Sequence, residues 1–441
     1  MTNLSRSHAL ELDRQDPLAS FRERFIITDP DLLYMDGNSL GRLPKVAVER
    51  ARELVETEWG DDLIRGWNKG WWEAPQRVGD KIGGIIGAAP GQVIVTDTTS
   101  MNLYKLVMSA LTHQPNRKRI ISDAFNFPSD LYILQGAVNL LDNASSSTNG
   151  MDSSVEGLRN THYEILRITS AQNDDTVPDL NALESAINED TALVTLSHVL
   201  FKSGYLYDMR AITDLAHRKG ALVLWDLSHS VGSVPVQLDA CNVDLAIGCT
   251  YKYLNGGPGS PAFLYVNKKI QEKLTSPIWG WWGQNKPFDF GLDFQPAPGV
   301  NRFLVGTQPM TSLLMMESAL EPTLEAGMDS IRRKSVALTG YLIALADEIL
   351  APLGFRLGSP RDADRRGSHV SLRHADAYRI NRALIEEMNV IPDFRAPDNI
   401  RLGLAPLYTT FTEVWDMIDR TRRVIVEKRH EKYPQTRLTV T

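Results

Sequence analysis

Between Val93 and Val266 the chain returns repeatedly to short, largely apolar runs, and this pattern limits its possible folds more than any other feature. Strands are expected at Val93–Thr96, Arg119–Ser122, Glu164–Ile168, Leu193–Leu196, Leu222–Trp225, Leu245–Gly248 and Phe263–Val266. A strand with one wet face alternates apolar and polar residues. Runs such as Leu222-Val223-Leu224-Trp225 have no polar face to turn to water, so they need cover on both sides. Asp208–Lys219 reads as a helix between two of these strands. Strand–helix–strand order with doubly covered strands predicts a mainly parallel sheet in an α/β fold. After Met310 the pattern changes. Long helical periodicities cover Thr311–Ala326 and Ser330–Ala351. A strand at His369–Leu372, a helix at Ala377–Met388, a strand at Ile400–Leu404 and a last helix at Phe411–His430 follow. The expected organisation is an N-terminal arm over residues 1–45, a large domain over 46–310 and a smaller C-terminal α+β domain over 311–441, with no internal repeat.

Composition excludes several function classes. The 441 residues suffice for one large and one smaller domain. A content of 43% hydrophobic and 23% charged residues speaks against large-scale disorder. The net charge of −7, without a basic run, favours neither nucleic acid nor an anionic membrane as partner. Two cysteines, Cys241 and Cys249, are too few for a disulfide framework and fit a reducing cytosol; neither has a partner at metal-ligand spacing. Residues 1–20 lack the apolar core of a secretion signal, and no apolar stretch of membrane-spanning length is expected.

Chemistry concentrates at strand ends. Lys252 follows the strand Leu245–Gly248 and precedes the loop Asn255-Gly256-Gly257-Pro258-Gly259. A lysine held there can be partly desolvated, which makes its amine nucleophilic; alone, it reads more readily as a solvated surface lysine. Asp226 ends another apolar strand, 26 residues earlier. A carboxylate at a buried strand end is costly without a positive partner, and a protonated ring nitrogen of a cofactor is such a partner. A helix cap would use an aspartate here as well. With Lys252 at the same sheet edge, the cofactor reading gains weight, because ligands bind at that edge. No Walker loop or GxGxxG pattern occurs. Instead, Thr98-Thr99-Ser100 opens a helix, where free N–H groups suit a phosphate and also suit plain capping. Phe127, in Phe127-Pro128-Ser129-Asp130, could stack on an aromatic ring or sit in the core. His229 is a candidate neighbour of the same group.

These stretches resemble one family. Tyr34 to Gly41, Phe127-Pro128-Ser129-Asp130, Asp226-Leu227-Ser228-His229, Tyr251 to Gly259, Gly280-Trp281-Trp282-Gly283 and Arg401 to Tyr408 are together similar to kynureninases, nearly along the whole chain. Those are pyridoxal 5′-phosphate (PLP) enzymes of fold type I, in the aspartate-aminotransferase-like superfamily. The resemblance implies a Schiff base on Lys252, Asp226 at the pyridine nitrogen and Phe127 on the ring. Asp130, Ser197 and His229 would surround the ring, Thr99, Ser100, Tyr251 and Trp281 would hold the phosphate region, and Ser129 would bind the cofactor as well. It further implies a homodimer with Trp281 and Thr307 supplied across the interface, and Arg401 as the clamp on the substrate carboxylate. Arginine suits that job through its planar fork.

The implied reaction is cytoplasmic hydrolysis of L-kynurenine to anthranilate and L-alanine, in tryptophan breakdown or in NAD biosynthesis. Lys252 would move protons at Cα, and Tyr251 would serve as acid/base at the γ-carbonyl. Vertebrate-type members, which favour 3-hydroxykynurenine, carry His and Ser-Asn where this chain has Trp67 and Gly306-Thr307. The resemblance is therefore to the bacterial type, with Trp67 and Thr307 bearing on substrate choice. A cysteine desulfurase or class V aminotransferase shares the fold, but a desulfurase needs a cysteine in a late loop, and both cysteines precede Lys252. A PLP-binding regulator or inactive scaffold would be expected to have lost Lys252 or Arg401, and both are present.

Overall fold

Strands without a polar face are buried on both. The computed structural model describes residues 4–148, 162–170 and 176–435. After a short N-terminal strand β1 (Leu33–Tyr34), the large sheet is built from β2 (Val93–Val95), β3 (Arg119–Asp123), β4 (Glu164–Ile168), β5 (Thr191–Ser197), β6 (Leu222–Asp226), β7 (Leu245–Gly248) and β8 (Phe263–Val266). Its order is β2-β8-β7-β6-β5-β3-β4. All neighbours from β7 to β4 run parallel, and only β8 runs antiparallel to β7 and β2. The predicted α/β class and mainly parallel sheet are therefore found.

The side-chain period of two sorts each strand between two cores. Val223, Trp225, Ala246, Phe263 and Tyr265 enter one, with the helix Ala74–Ile86. Leu222, Leu224, Leu245, Ile247 and Leu264 enter the other, with the helix Thr99–His113. The predicted helix at Asp208–Lys219 occupies Met209–Arg218, and Asp208 caps it by accepting from Ala211 N–H. Helices at Arg6–Gln15, Lys45–Glu53, Ala74–Ile86 and Pro128–Thr148 were not expected from periodicity.

The C-terminal region carries β9 (Arg356–Leu357), β10 (His369–Arg373), β11 (Val390–Ile391), β12 (Asp393–Arg395) and β13 (Asn399–Gly403). Four of these form an antiparallel sheet in the order β12-β13-β10-β9, while β11 pairs with β1 in parallel. The N-terminal segment is built into this region. The helix Arg6–Gln15 lies against Phe411–Val426, where the Asp13 carboxylate accepts from Phe411 N–H at 2.7 Å, and Ala9, Leu33 and Met35 join its core. The single helix expected over Thr311–Ala326 is two, Met310–Ala319 and Glu321–Ala326. The break coincides with Pro322, whose missing N–H and ring disrupt a helix.

One expectation is corrected. Met328–Leu353 is a helical run of 26 residues with an 18-residue window of mean hydropathy 1.6, long and apolar enough to cross a membrane. In this fold it packs Leu338, Leu342, Leu345 and Leu350 against Val414 and Ile418 in the C-terminal core.

The helix Ala74–Ile86 touches β2 backbone to backbone: a Cβ on Gly79 would lie 2.1 Å from the Val93 carbonyl oxygen. Gly79→Ala must push the helix off the sheet. Urea denaturation should show a loss of about 3 kcal/mol, the upper end of overpacking costs; a loss below about 0.5 kcal/mol, as at an ordinary surface site, contradicts this packing.

Candidate active site

The site lies where β5, β6 and β7 end. At the end of β6, Asp226 is 7% exposed. Its Oδ1 accepts from Ser228 N–H at 2.8 Å and Ser228 Oγ at 2.6 Å, and Ser197 Oγ stands 3.5 Å from Oδ2. The bond to the residue two ahead is an Asx turn, and the chain continues in turns, so the carboxylate caps no helix there. Beyond β7, Thr250 is buried and donates to the Pro261 carbonyl, anchoring the turn before Lys252. Asn255, Gly257 and Gly259 have φ of 58°, 89° and 73°, which explains the glycine-rich loop. Lys252 Nζ meets His229 Nε2 at 3.0 Å. His229 is buried with Nδ1 lacking a partner, and burial, with Lys252 and Arg401 nearby, holds it well below the usual histidine range.

Two helix starts converge on the same space. Thr98 caps the helix Thr99–His113 by accepting from Met101 N–H, and Pro128 opens the helix Pro128–Thr148. Ser100 Oγ and Ser129 Oγ lie 3.1 Å apart and tie the two together. Phe127 is 45% exposed, edge-to-face with Phe201, and lines the pocket rather than the core. Asp130 is buried, and burial beside Asp226 raises its pKa well above the carboxylate range. The Cys249 thiol and burial push the Tyr251 phenol up, so it stays protonated.

The arm closes one side. Gly41 N–H donates to the Tyr251 carbonyl at 2.8 Å, and a Cβ on Gly41 would lie 2.3 Å from the Lys252 carbonyl oxygen. Arg401, on β13, is 1% exposed. It donates to the Phe201 carbonyl at 2.7 Å, to Ser39 Oγ at 2.8 Å and to Asp393. With the Asn38 amide oriented to satisfy both its atoms, its oxygen accepts from Arg401 Nε at 2.8 Å. Arg395 pairs with the same Asp393 carboxylate at 2.9 Å.

Of the residues singled out from sequence, Thr99, Ser100, Phe127, Ser129, Asp130, Ser197, Asp226, His229, Tyr251, Lys252 and Arg401 line one cavity of about 220 Å³. Asn38, Ser39, Ser228 and Arg395 line it too and were missed. They lay inside or beside the motifs, but as ordinary polar residues they carried no signal of their own. Trp67, Trp281 and Thr307 are not brought there. Trp67 and Trp281 join Trp72 and Trp282 in an aromatic cluster, and Thr307 is exposed. A larger cavity of about 660 Å³, beside Trp72 and Pro298, shares no residue with the Lys252 pocket. No cluster of candidate metal ligands occurs among the described residues.

The residues fit PLP. The pocket offers an amine, a buried carboxylate, a flat aromatic face and the hydroxyls of Thr99, Ser100 and Ser129 at two helix starts, which suit an anion. Fold and pocket thus define a PLP enzyme of fold type I. Solved structures share this fold: the apo cysteine desulfurase of Thermococcus onnurineus NA1 (TM-score 0.75, 17% identity, 92% of this chain and 98% of that one). Another is a C-DES variant with glycine covalently linked to its PLP cofactor (TM-score 0.73, 18% identity, 89% and 97%). Residues 331–421 match the model of the kynureninase C-terminal domain, and residues 168–248 that of the DegT/DnrJ/EryC1/StrS aminotransferase family. The kynureninase of Burkholderia pseudomallei (strain 1106a) is 43% identical over 426 residues, 96% of this chain and 95% of that protein. The kynureninase of Pseudomonas fluorescens is 42% identical over 429 residues, 96% of each. The chain belongs to the kynureninase family.

A buried carboxylate beside the pocket titrates unusually. Asp123 accepts from Tyr207 OH at 2.5 Å and from Phe125 N–H at 2.8 Å, and so fixes the turn whose Asn126 holds Ser197 N–H. Burial pushes its pKa up to about 6. A raised carboxyl favours the fold at low pH, and that contribution is lost as pH rises from the unfolded value of about 3.9 through about 6. Asp123→Asn removes this dependence. Relative to the variant, the parent should lose about 2 kcal/mol between about pH 4 and pH 7 in urea titrations; a pH-independent difference contradicts the assignment.

Proposed function

We propose that this chain hydrolyses L-kynurenine to anthranilate and L-alanine, with PLP attached at Lys252. The observation that carries the reading is the shared pocket of Lys252, Asp226 and Arg401 in a chain of this family. When bound, PLP supplies an aldehyde that links to amines and a ring that draws negative charge from Cα. Asp226 keeps the ring nitrogen protonated, with Ser228 fixing the carboxylate. Phe127 would stack on the ring, and Asp130, Ser197 and His229 would hold it from the other walls of the cavity. Thr99, Ser100, Ser129 and Tyr251 face the phosphate. The Lys252 amine would take the proton from the substrate Cα and return it from the same side of the pocket. His229 Nε2 steadies it meanwhile. Arg401 grips the substrate carboxylate, positioned by Ser39 and Asp393. The protonated Tyr251 phenol gives and takes the proton at the γ-carbonyl oxygen as water adds and the Cβ–Cγ bond breaks. Such a group contributes on the order of 10²–10⁴ in rate.

The working form is a cytoplasmic homodimer whose chain combines an N-terminal arm, a large PLP-binding domain and a small C-terminal domain, with the boundary between the last two after Ala319 rather than at residue 310. The helix Met310–Ala319 packs Leu313, Leu314 and Met316 into the large core, so it moves with the larger unit. Trp59, Ile64, Phe288, Phe290 and Leu292 are large exposed apolar side chains, and Phe288 packs edge-on against Trp281 at 6.2 Å, as at an interface. In the dimer, Trp281 and Thr307 complete the partner's pocket, and Trp67, beside Trp281, travels with them. A second substrate, 3-hydroxykynurenine, is handled less well, because Trp67 and Thr307 give its extra hydroxyl few partners. A buried hydroxyl without one costs about 1–3 kcal/mol.

Purified protein given either substrate, with product fluorescence followed, tests both points. Anthranilate should form from kynurenine, with kcat/KM about tenfold or more above that for the hydroxylated substrate. Trp67→His with Thr307→Asn should move the ratio toward the latter. No anthranilate refutes the reaction; an unmoved ratio refutes only the pocket.

Lys252→Ala and Trp281→Ala, each inactive alone, should regain up to about a quarter of parent activity when unfolded together and refolded, because mixed dimers hold one intact site. No recovery despite mixed dimers by mass spectrometry contradicts sharing.

A further inference from the structure

One residue before the cap of the Thr99–His113 helix, Asp97 has a φ of 47°, in the left-handed region. Four bonds hold it there. Its N–H donates to Gln308 Oε1 at 3.2 Å, and its carbonyl accepts from Ala262 N–H at 2.8 Å. Its carboxylate accepts from Thr96 Oγ1 at 2.9 Å and from Lys105 Nζ at 2.7 Å. Lys105 is fully buried on the same helix and also donates to the Phe303 carbonyl at 2.7 Å. Burial pulls its pKa down, and the Asp97 charge opposes that. Neither residue lines the pocket, but Thr99 and Ser100, next along the chain, do.

A helix start attracts the nearest anion, and aspartate is among the side chains that cap best. Left free, the Asp97 carboxylate would compete for the first-turn N–H groups. Here it is drawn instead onto Lys105 and Thr96, and the neutral Thr98 hydroxyl does the capping, toward Met101 N–H at 3.3 Å. We propose that Lys105 and Asp97 are a positioning pair for the cofactor phosphate: Lys105 holds the Asp97 carboxylate off the helix start, leaving the donors of Thr99 and Ser100 to an external dianion. This rests on the PLP reading above. Through Phe303 and Gln308 the same knot joins the helix start to the segment that carries Thr307.

The test uses the full-length protein stripped of cofactor. It is titrated with PLP and, separately, with pyridoxal, which lacks the phosphate, and the lysine adduct is followed by absorbance. In Lys105→Met the ratio of the two affinities should fall about tenfold, while pyridoxal alone changes by less than about threefold. Adding Asp97→Asn to that variant should restore most of the ratio. Asp97→Asn alone, which tolerates the left-handed backbone, should raise the ratio about threefold, and decides the matter if Lys105→Met does not fold. A ratio within about twofold of the parent in Lys105→Met, or an unchanged or lower ratio in Asp97→Asn, overturns the proposal. A parent that forms no adduct with either aldehyde overturns the PLP reading instead.

Discussion

The parallel ladder between β6 and β7 supports everything at the site. It pairs Leu224 with Leu245, Trp225 with Ala246 and Asp226 with Ile247. Because both strands are buried on both faces, polar groups can leave the ladder only at its ends, and parallel strands end at the same edge. The carboxylate of Asp226 and the turn carrying Lys252 therefore emerge side by side. Hydrogen bonds lock them together: Leu227 N–H donates to the Ile247 carbonyl, and Cys249 N–H to Ser228 Oγ. A slip of one residue would turn Asp226 into the core and Trp225 toward the pocket, so burial itself enforces the register.

A second layer of constraint comes from charge. Arg401 is too deeply buried to stand without partners, since an isolated buried cation costs several kcal/mol. Its partners come from three separated stretches: Asn38 and Ser39 in the arm, the Phe201 carbonyl beyond β5, and Asp393 on β12. Satisfying one guanidinium thus draws the arm, the large sheet and the small sheet onto one cavity. Asp36 shares the strain: burial and the Asp393 charge raise its carboxyl to about 6. The histidines show the same logic. His229 leaves β6 and His369 opens β10, and their rings pack 5.4 Å apart across the join between the sheets.

Legibility followed the range of the interactions. Apolar runs marked β7 and β8 at their observed bounds, because burial of a strand is written in its own residues; the bounds of β4 matched too, although it is an edge strand with only Ile168 buried. The helix Ala74–Ile86 was missed because its three glycines, Gly79, Gly83 and Gly84, blur the apolar stripe, although Gly79 is what lets the helix touch β2. β1, β9, β11 and β12 are two or three residues long and have no period to detect. Ser39 and Arg395 were invisible for another reason: nothing local distinguishes them from solvated polar residues. Ser39 gains its place only from Arg401, 362 residues further on, and Arg395 from the Asp393 carboxylate once the fold has buried it.

By itself the sequence determined the class of fold and the two strand-end residues around which the chemistry is read, because doubly buried strands and a carboxylate and lysine at their ends are local patterns. Tertiary structure alone decided how the arm closes on Lys252, that most of the N–H donors of Arg401 are held by partners from the protein, and that Trp67, Trp281 and Thr307 stand outside the pocket of their own chain. Those outcomes depend on contacts between residues hundreds of positions apart. Such contacts are set by how whole layers pack, and the side chains concerned carry no periodic or compositional trace of it.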